Sequence, residues 1–129
     1  MTQEQKELLI KDLCARLPYG IKAEIKHYDD AWELLAIYTN GTTYAARDIG
    51  YPIETYFEDC KPYLFPLSNM TKEQEEEYHN LCSIGTDECG DIIYFNTYES
   101  IDYLNKNKFD YRYLIPMGLA IDATNLNIY

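Results

Sequence analysis

The residue types that carry chemistry are few in this chain, and their spacing is loose. There are two histidines, His27 and His79, and four cysteines, Cys14, Cys60, Cys82 and Cys89. His27 precedes Tyr28-Asp29-Asp30, which sets an imidazole beside a carboxylate, the pairing that general acid–base catalysis uses. The same residues read as a solvent-exposed turn, and an ordinary surface histidine is the simpler account. His79 and Cys82 stand three apart and can share one helix face. Together with Cys60 and Cys89 they would make a Cys3His set, which zinc accepts. The separations fit no compact zinc module, and no close Cys-x-x-Cys pair occurs. The four thiols are therefore expected to be free and mostly buried, Cys14 on the apolar face of a helix.

The carboxylates invite a similar test. Glu73, Glu75, Glu76 and Glu77 point around a helix, whereas a calcium loop alternates oxygen ligands about a glycine-assisted turn. Asp87-Glu88-Cys89-Gly90-Asp91 comes closer, but it is far short of the twelve-residue pattern. A phosphate loop, a dinucleotide fingerprint, a nucleophile elbow and a paired-histidine zinc helix are all missing. On the sequence we assign no catalytic residue, no cofactor and no metal ligand. A small hydrolase or metal-dependent enzyme using His79 or His27 stands as an alternative.

Charge is more informative. The chain of 129 residues carries −11. Thirteen acids and only two bases, Lys61 and Lys72, lie between Asp48 and Asp102, so this stretch holds the whole net charge. Tyr51, Tyr56, Tyr63, Tyr78, Tyr94 and Tyr98 lie there too. Such a surface repels phosphate backbones and anionic membranes and favours basic or aromatic partners. Lys22, Lys26 and Arg47 make too small a basic patch for nucleic acid.

The elements that must position these residues follow from the patterning. Thr2 and Gln5 fit a capping box, and Leu9, Leu13 and Leu17 with Ile10 make a helical stripe ended by Pro18 and Gly20. Ile21, Ala23 and Ile25 alternate with Lys22, Glu24 and Lys26, the period of a half-buried strand. Trp32–Tyr38 reads as a central strand apolar on both faces. Asn40-Gly41 predicts a type I′ hairpin returning over Thr42–Asp48. Ile49–Met70 has three prolines but is too apolar for a linker, so we expect an extended wrap over the core with one edge strand near Tyr63-Leu64-Phe65. Thr71 and Gln74 open a helix over 72–82, Ser83–Asp91 reads as a loop, and Ile92–Phe95 as a short strand. A helix is expected over 98–107 and a short turn at 111–115, with Asp110 as its cap. The C-terminal segment from Phe109 to Gly118 should latch onto the sheet, Arg112 pairing with a carboxylate. The fold class is α+β in one domain, with strands clustered in a mainly antiparallel meander at 21–48.

Three segments resemble a known family: MTQEQKELLIKDLCARLPYG at the start, KPYLFPLSNMT from Lys61, and IDYLNKNKFDYRYLIPMGLAI from Ile101. The chain is similar there to small uncharacterised acidic proteins encoded in gut-bacterial genomes and their prophages. Members often carry a basic residue where Phe65 stands and a glycine where Tyr113 stands. The resemblance implies a phage or mobile-element setting and brings no activity or cofactor.

The function expected is a non-enzymatic interaction or modulator protein. Its contacts are expected at Tyr51, Tyr56, Phe57, Glu58, Asp59, Tyr63 and Phe65, and its partner is expected to be a protein, basic in character. A nucleic-acid mimic that blocks a DNA-binding protein is an alternative. No apolar run has the length of a membrane span and the first residues are polar, which points to a cytoplasmic protein without nucleic-acid or membrane partners. Self-association through an uncovered strand edge is a further expectation.

Overall fold

A computed structural model describes residues 1–129. Helix α1 (Gln3–Arg16) starts as its sequence demands. Thr2 Oγ1 accepts from the Gln5 amide at 3.1 Å, and Gln5 Oε1 accepts from the Thr2 amide at 2.9 Å. Leu9 and Leu13 are fully buried. Pro18 lies in a 3-10 turn over Leu17–Tyr19, and Gly20, at φ 77°, turns the chain into the sheet.

Strands β1 (Lys22–Ile25), β2 (Ala31–Ile37) and β3 (Thr42–Ala46) form the expected antiparallel meander. Two details differ. Leu35 is 48% exposed, so β2 has one wet face; no layer covers that side of the sheet at this position. The β2–β3 turn is not type I′. Only Gly41 has a positive φ (87°), the Gly41 amide donates to Tyr38 O, and the Tyr38 amide donates to Thr42 O. That is a turn closed by a left-handed glycine, a common three-residue hairpin solution.

The proline-rich segment is strand and not wrap. β4 (Ile53–Tyr56) pairs with β3, and β5 (Cys60–Pro66) pairs antiparallel with β1. Two short strands, β8 (Phe109–Asp110) and β9 (Ile121–Asp122), then join β5 in parallel, so β5 is internal and the expected edge strand is overturned. Pro52 and Pro66 fall at strand ends, where a missing donor disturbs the ladder least. The sheet runs β4-β3-β2-β1-β5-β8 with β9 also on β5, and its inner face meets α1 around Leu9, Leu13, Trp32, Leu34 and Leu64.

Between β5 and β8 the chain builds an arm: α2 (Lys72–Leu81), β6 (Ser83–Thr86), β7 (Ile92–Phe95) and α3 (Tyr98–Lys106). The second capping box, Thr71 with Gln74, is present, and Thr97 with Ser100 forms a third. The segment expected as a loop contains β6, which pairs with β7 in a hairpin separate from the main sheet.

The turn at 111–115 is present and non-helical, because Tyr113 sits at φ 60°. Asp110 caps it: Oδ1 accepts from the Leu114 amide and Oδ2 from the Ile115 amide, both at 2.9 Å. Phe109 and Leu114 are buried. No helix is long and apolar enough to cross a membrane.

Candidate interaction surface

The seven residues expected at an interface do not share one surface. Tyr51 is 91% exposed and Tyr56 is also exposed, both at the β4 end of the sheet. Glu58 is exposed and pairs with Lys6 at 3.5 Å. Phe57 packs against the core, over Gly41. Asp59 is half-buried, and its carbonyl accepts from the Lys26 amide at 2.9 Å. Tyr63 is buried, and Phe65 is half-buried with its ring 6.1 Å from that of Tyr129. The reason is topological, since an internal β5 draws Tyr63 and Leu64 into the structure.

The histidines and thiols are also apart. His27 sits in an exposed turn at φ 72°. His79 lies flat on Tyr94, ring centroids 3.7 Å apart and planes 3° from parallel. No group of three or more His, Cys, Asp or Glu side chains is placed to hold a metal ion, so Cys60, His79, Cys82 and Cys89 do not form a ligand set. All four thiols are free, but only Cys60 is buried; Cys14 and Cys89 are exposed, against the expectation of mostly buried thiols. The Cys14 position falls on the solvent side of the stripe because Leu9 and Leu13 define the buried line. Burial pushes the Cys60 thiol up to about 12, with the Asp59 charge adding to it. In the 87–91 loop, Asp87 Oδ1 accepts from the amides of Cys89 and Asp91 at 2.9 Å each, so this carboxylate closes the turn.

Two of the molecule's cavities lie elsewhere, and these two are lined by neither a histidine nor a cysteine. One, of about 460 Å³, is bounded by Phe65, Asn69, Gln74, Lys106, Lys108 and Tyr129, among others. Lys108 Nζ there donates to the carbonyls of Tyr19 (2.9 Å) and Lys106 (2.8 Å), so its ammonium ties chain segments together. Desolvation, then Arg16 and Lys106, hold its pKa below the usual lysine range. The second, of about 610 Å³, has charges of both signs, and its Arg47 pairs with Asp30 at 3.3 Å and lies 4.7 Å over the Trp32 ring.

Arg112 finds its expected carboxylate inside a buried ionic cluster whose other members, Asp12 and Arg16, the sequence did not mark. Asp12 and Arg16 are both fully buried, with Arg16 Nε 2.9 Å from Asp12 Oδ2 and Nη2 3.1 Å from Oδ1. Arg112 reaches the same carboxylate at 2.7 Å, and Arg16 Nη2 donates to Phe109 O at 2.7 Å. This cluster fixes the C-terminal segment to α1 and is structural.

The unusual surface is the arm. Residues 72–102 hold nine acids and one base, Lys72, which sums to −8. Within that charge stand exposed apolar side chains: Ile84 (69%), Ile92 (64%), Phe95 (53%) and Tyr98 (91%). The register Ile84↔Tyr94 and Thr86↔Ile92 puts Ile84, Thr86, Ile92 and Tyr94 on one face of the hairpin, and Ser83↔Phe95 and Gly85↔Ile93 put Phe95 on the other; Tyr98 stands outside the hairpin, at the start of α3. On that second face the Phe95 ring lies over Gly85, whose added Cβ would meet it at 2.7 Å. On the first, Tyr94 is held by His79. Behind the hairpin, Tyr78 donates to Asn96, Tyr103 donates to Glu77 at 2.8 Å, and Thr97 Oγ1 donates to Leu81 O at 2.6 Å, binding α2 to α3. Burial and the Glu77 and Glu73 carboxylates push the Tyr103 phenol up to about 12. The sequence signal was Ile92-Ile93-Tyr94-Phe95, four apolar residues in a row that a two-stranded hairpin cannot bury on both faces. Comparison of the chain with protein-family models, curated proteins and solved structures found no match.

Proposed function

We propose that this protein is a non-enzymatic binding protein whose docking surface is the arm built by α2, β6, β7 and α3. One observation carries the reading: a hairpin separate from the main sheet exposes Ile84, Ile92 and Phe95, and the start of α3 exposes Tyr98, inside a segment of charge −8. Exposed apolar clusters rimmed by charge mark interaction sites, because solvating them costs free energy that a partner recovers. The charge selects a cationic partner and speeds its approach. Tyr51 and Tyr56 then become secondary positions. The resemblance to proteins of phage and mobile elements fits a partner that is itself a phage or host protein.

A photo-crosslinking amino acid in place of Tyr98 or of Tyr51 tests this in cells that express the gene. The reading expects a discrete adduct from position 98 that is lost with Ile92→Lys and at raised salt. An adduct from position 51 alone, or none from either, contradicts it.

A further inference from the structure

Resting on that reading, we propose that β7 offers its open edge to an extended basic segment of the partner, which adds as a third strand to the β6–β7 hairpin.

In an antiparallel ladder, paired residues alternate between exchanging both amide–carbonyl bonds and pointing those groups outward. The Asp87 amide donates to Asp91 O at the hairpin loop. Counting from there, Gly85/Ile93 and Ser83/Phe95 are the bonded pairs, while Thr86/Ile92 and Ile84/Tyr94 turn their backbone groups outward. The hairpin belongs to no larger sheet, so these groups face no third strand. An uncovered edge of this kind is a template for strand addition.

The side chains choose the edge and the partner. On β7 the two outward-bonding residues are Ile92 and Tyr94, both apolar and both exposed. On β6 they are Ile84 and Thr86, one apolar and one polar. Tyr94 is also braced by His79, which reduces the ordering that binding would require. Asp91 precedes β7 and Glu99 follows it in α3, so carboxylates stand at both ends of the edge in sequence. The segment recognised is one with apolar residues in alternate places, to cover Ile92 and Tyr94, and lysine or arginine on either side.

A fluorophore-labelled Lys-Arg-Val-Thr-Val-Lys-Arg peptide is the probe, read by anisotropy against the full chain. The wild-type protein should bind it. N-methylation of the peptide amides that would face β7 leaves charge and side chains intact and removes the donors; it should weaken binding tenfold or more, about two hydrogen bonds' worth. Ile92→Pro removes an outward amide and should weaken the unmodified peptide likewise, whereas Ile84→Pro should not, both variants being checked for fold by circular dichroism. Equal binding of the N-methylated peptide would overturn strand addition and leave the arm as the docking surface. Loss with Ile84→Pro but not Ile92→Pro would overturn the assignment to β7. No binding of the unmodified peptide at any salt would remove both this inference and the reading beneath it.

Discussion

The His79 imidazole and the Tyr94 ring lie in parallel, 3.7 Å apart, so the hairpin is clamped to α2 by one aromatic contact. Stacked aromatic pairs contribute about 0.5–1.5 kcal/mol beyond their burial. His79→Ala should therefore lower global stability by about 1 kcal/mol, while hydrogen exchange of the amides in 83–95 rises more than elsewhere. Unchanged exchange in the hairpin would show that the contact does not hold it.

Asp12 is the shared acceptor of Arg16 and Arg112, buried between α1 and the C-terminal segment. Removing one partner of a buried ion pair typically costs about 3–5 kcal/mol, because the remaining charge is left without compensation. Asp12→Asn should destabilise the protein by that order in urea unfolding. Asp110→Ala, which uncaps the turn behind Arg112, should cost about 1–2 kcal/mol. Truncation before Phe109 removes β8, β9 and Arg112 together and should abolish folding; a truncated form of full thermal stability would contradict the latch.

Thiol reactivity should divide the cysteines. Cys14 and Cys89 react promptly with a disulfide reagent in the folded protein, and Cys60 only on unfolding. The raised Cys60 pKa also has a sign. The fold favours the thiol over the thiolate, so its contribution is complete below the ordinary value of 9.0 and is lost as pH rises toward about 12. Thermal stability should fall across that window, and less steeply in Cys60→Ala. Identical slopes would remove Cys60 as a cause.

Tyr113 occupies the left-handed region, where a side chain is strained and glycine is not. Tyr113→Gly should leave stability unchanged or raise it by up to about 1 kcal/mol, whereas Tyr113→Val should lower it by about 1 kcal/mol. A clear loss on Tyr113→Gly would mean that the exposed ring contributes packing.

Much of this architecture was legible where a local rule decides the outcome. Thr2/Gln5 and Thr71/Gln74 announce their helices because a capping box is satisfied within four residues. The alternation Ile21–Lys26 announces β1, and Asp110 its turn. What failed needed partners distant in sequence. Nothing local marks Asp12 and Arg16, four apart on a helix, as buried; only the approach of Phe109 and Arg112, nearly a hundred residues on, buries them. Tyr63 and Phe65 read as exposed because nothing local says that β5 lies between β1 and the short strands β8 and β9. Ser83-Ile84-Gly85-Thr86 is too short and polar to read as a strand before Ile92–Phe95 is seen opposite it. The candidate surface suffered most, since exposure of Ile84, Ile92 and Phe95 depends on what does not cover them.

Hydrogen exchange read by mass spectrometry, with and without the cationic peptide, tests the docking claim most directly. The arm reading predicts slowed exchange confined to residues 81–98, with 49–59 unaffected, and reversal of the effect at high salt. Protection at 49–59 instead, or none anywhere at saturating peptide, would contradict it.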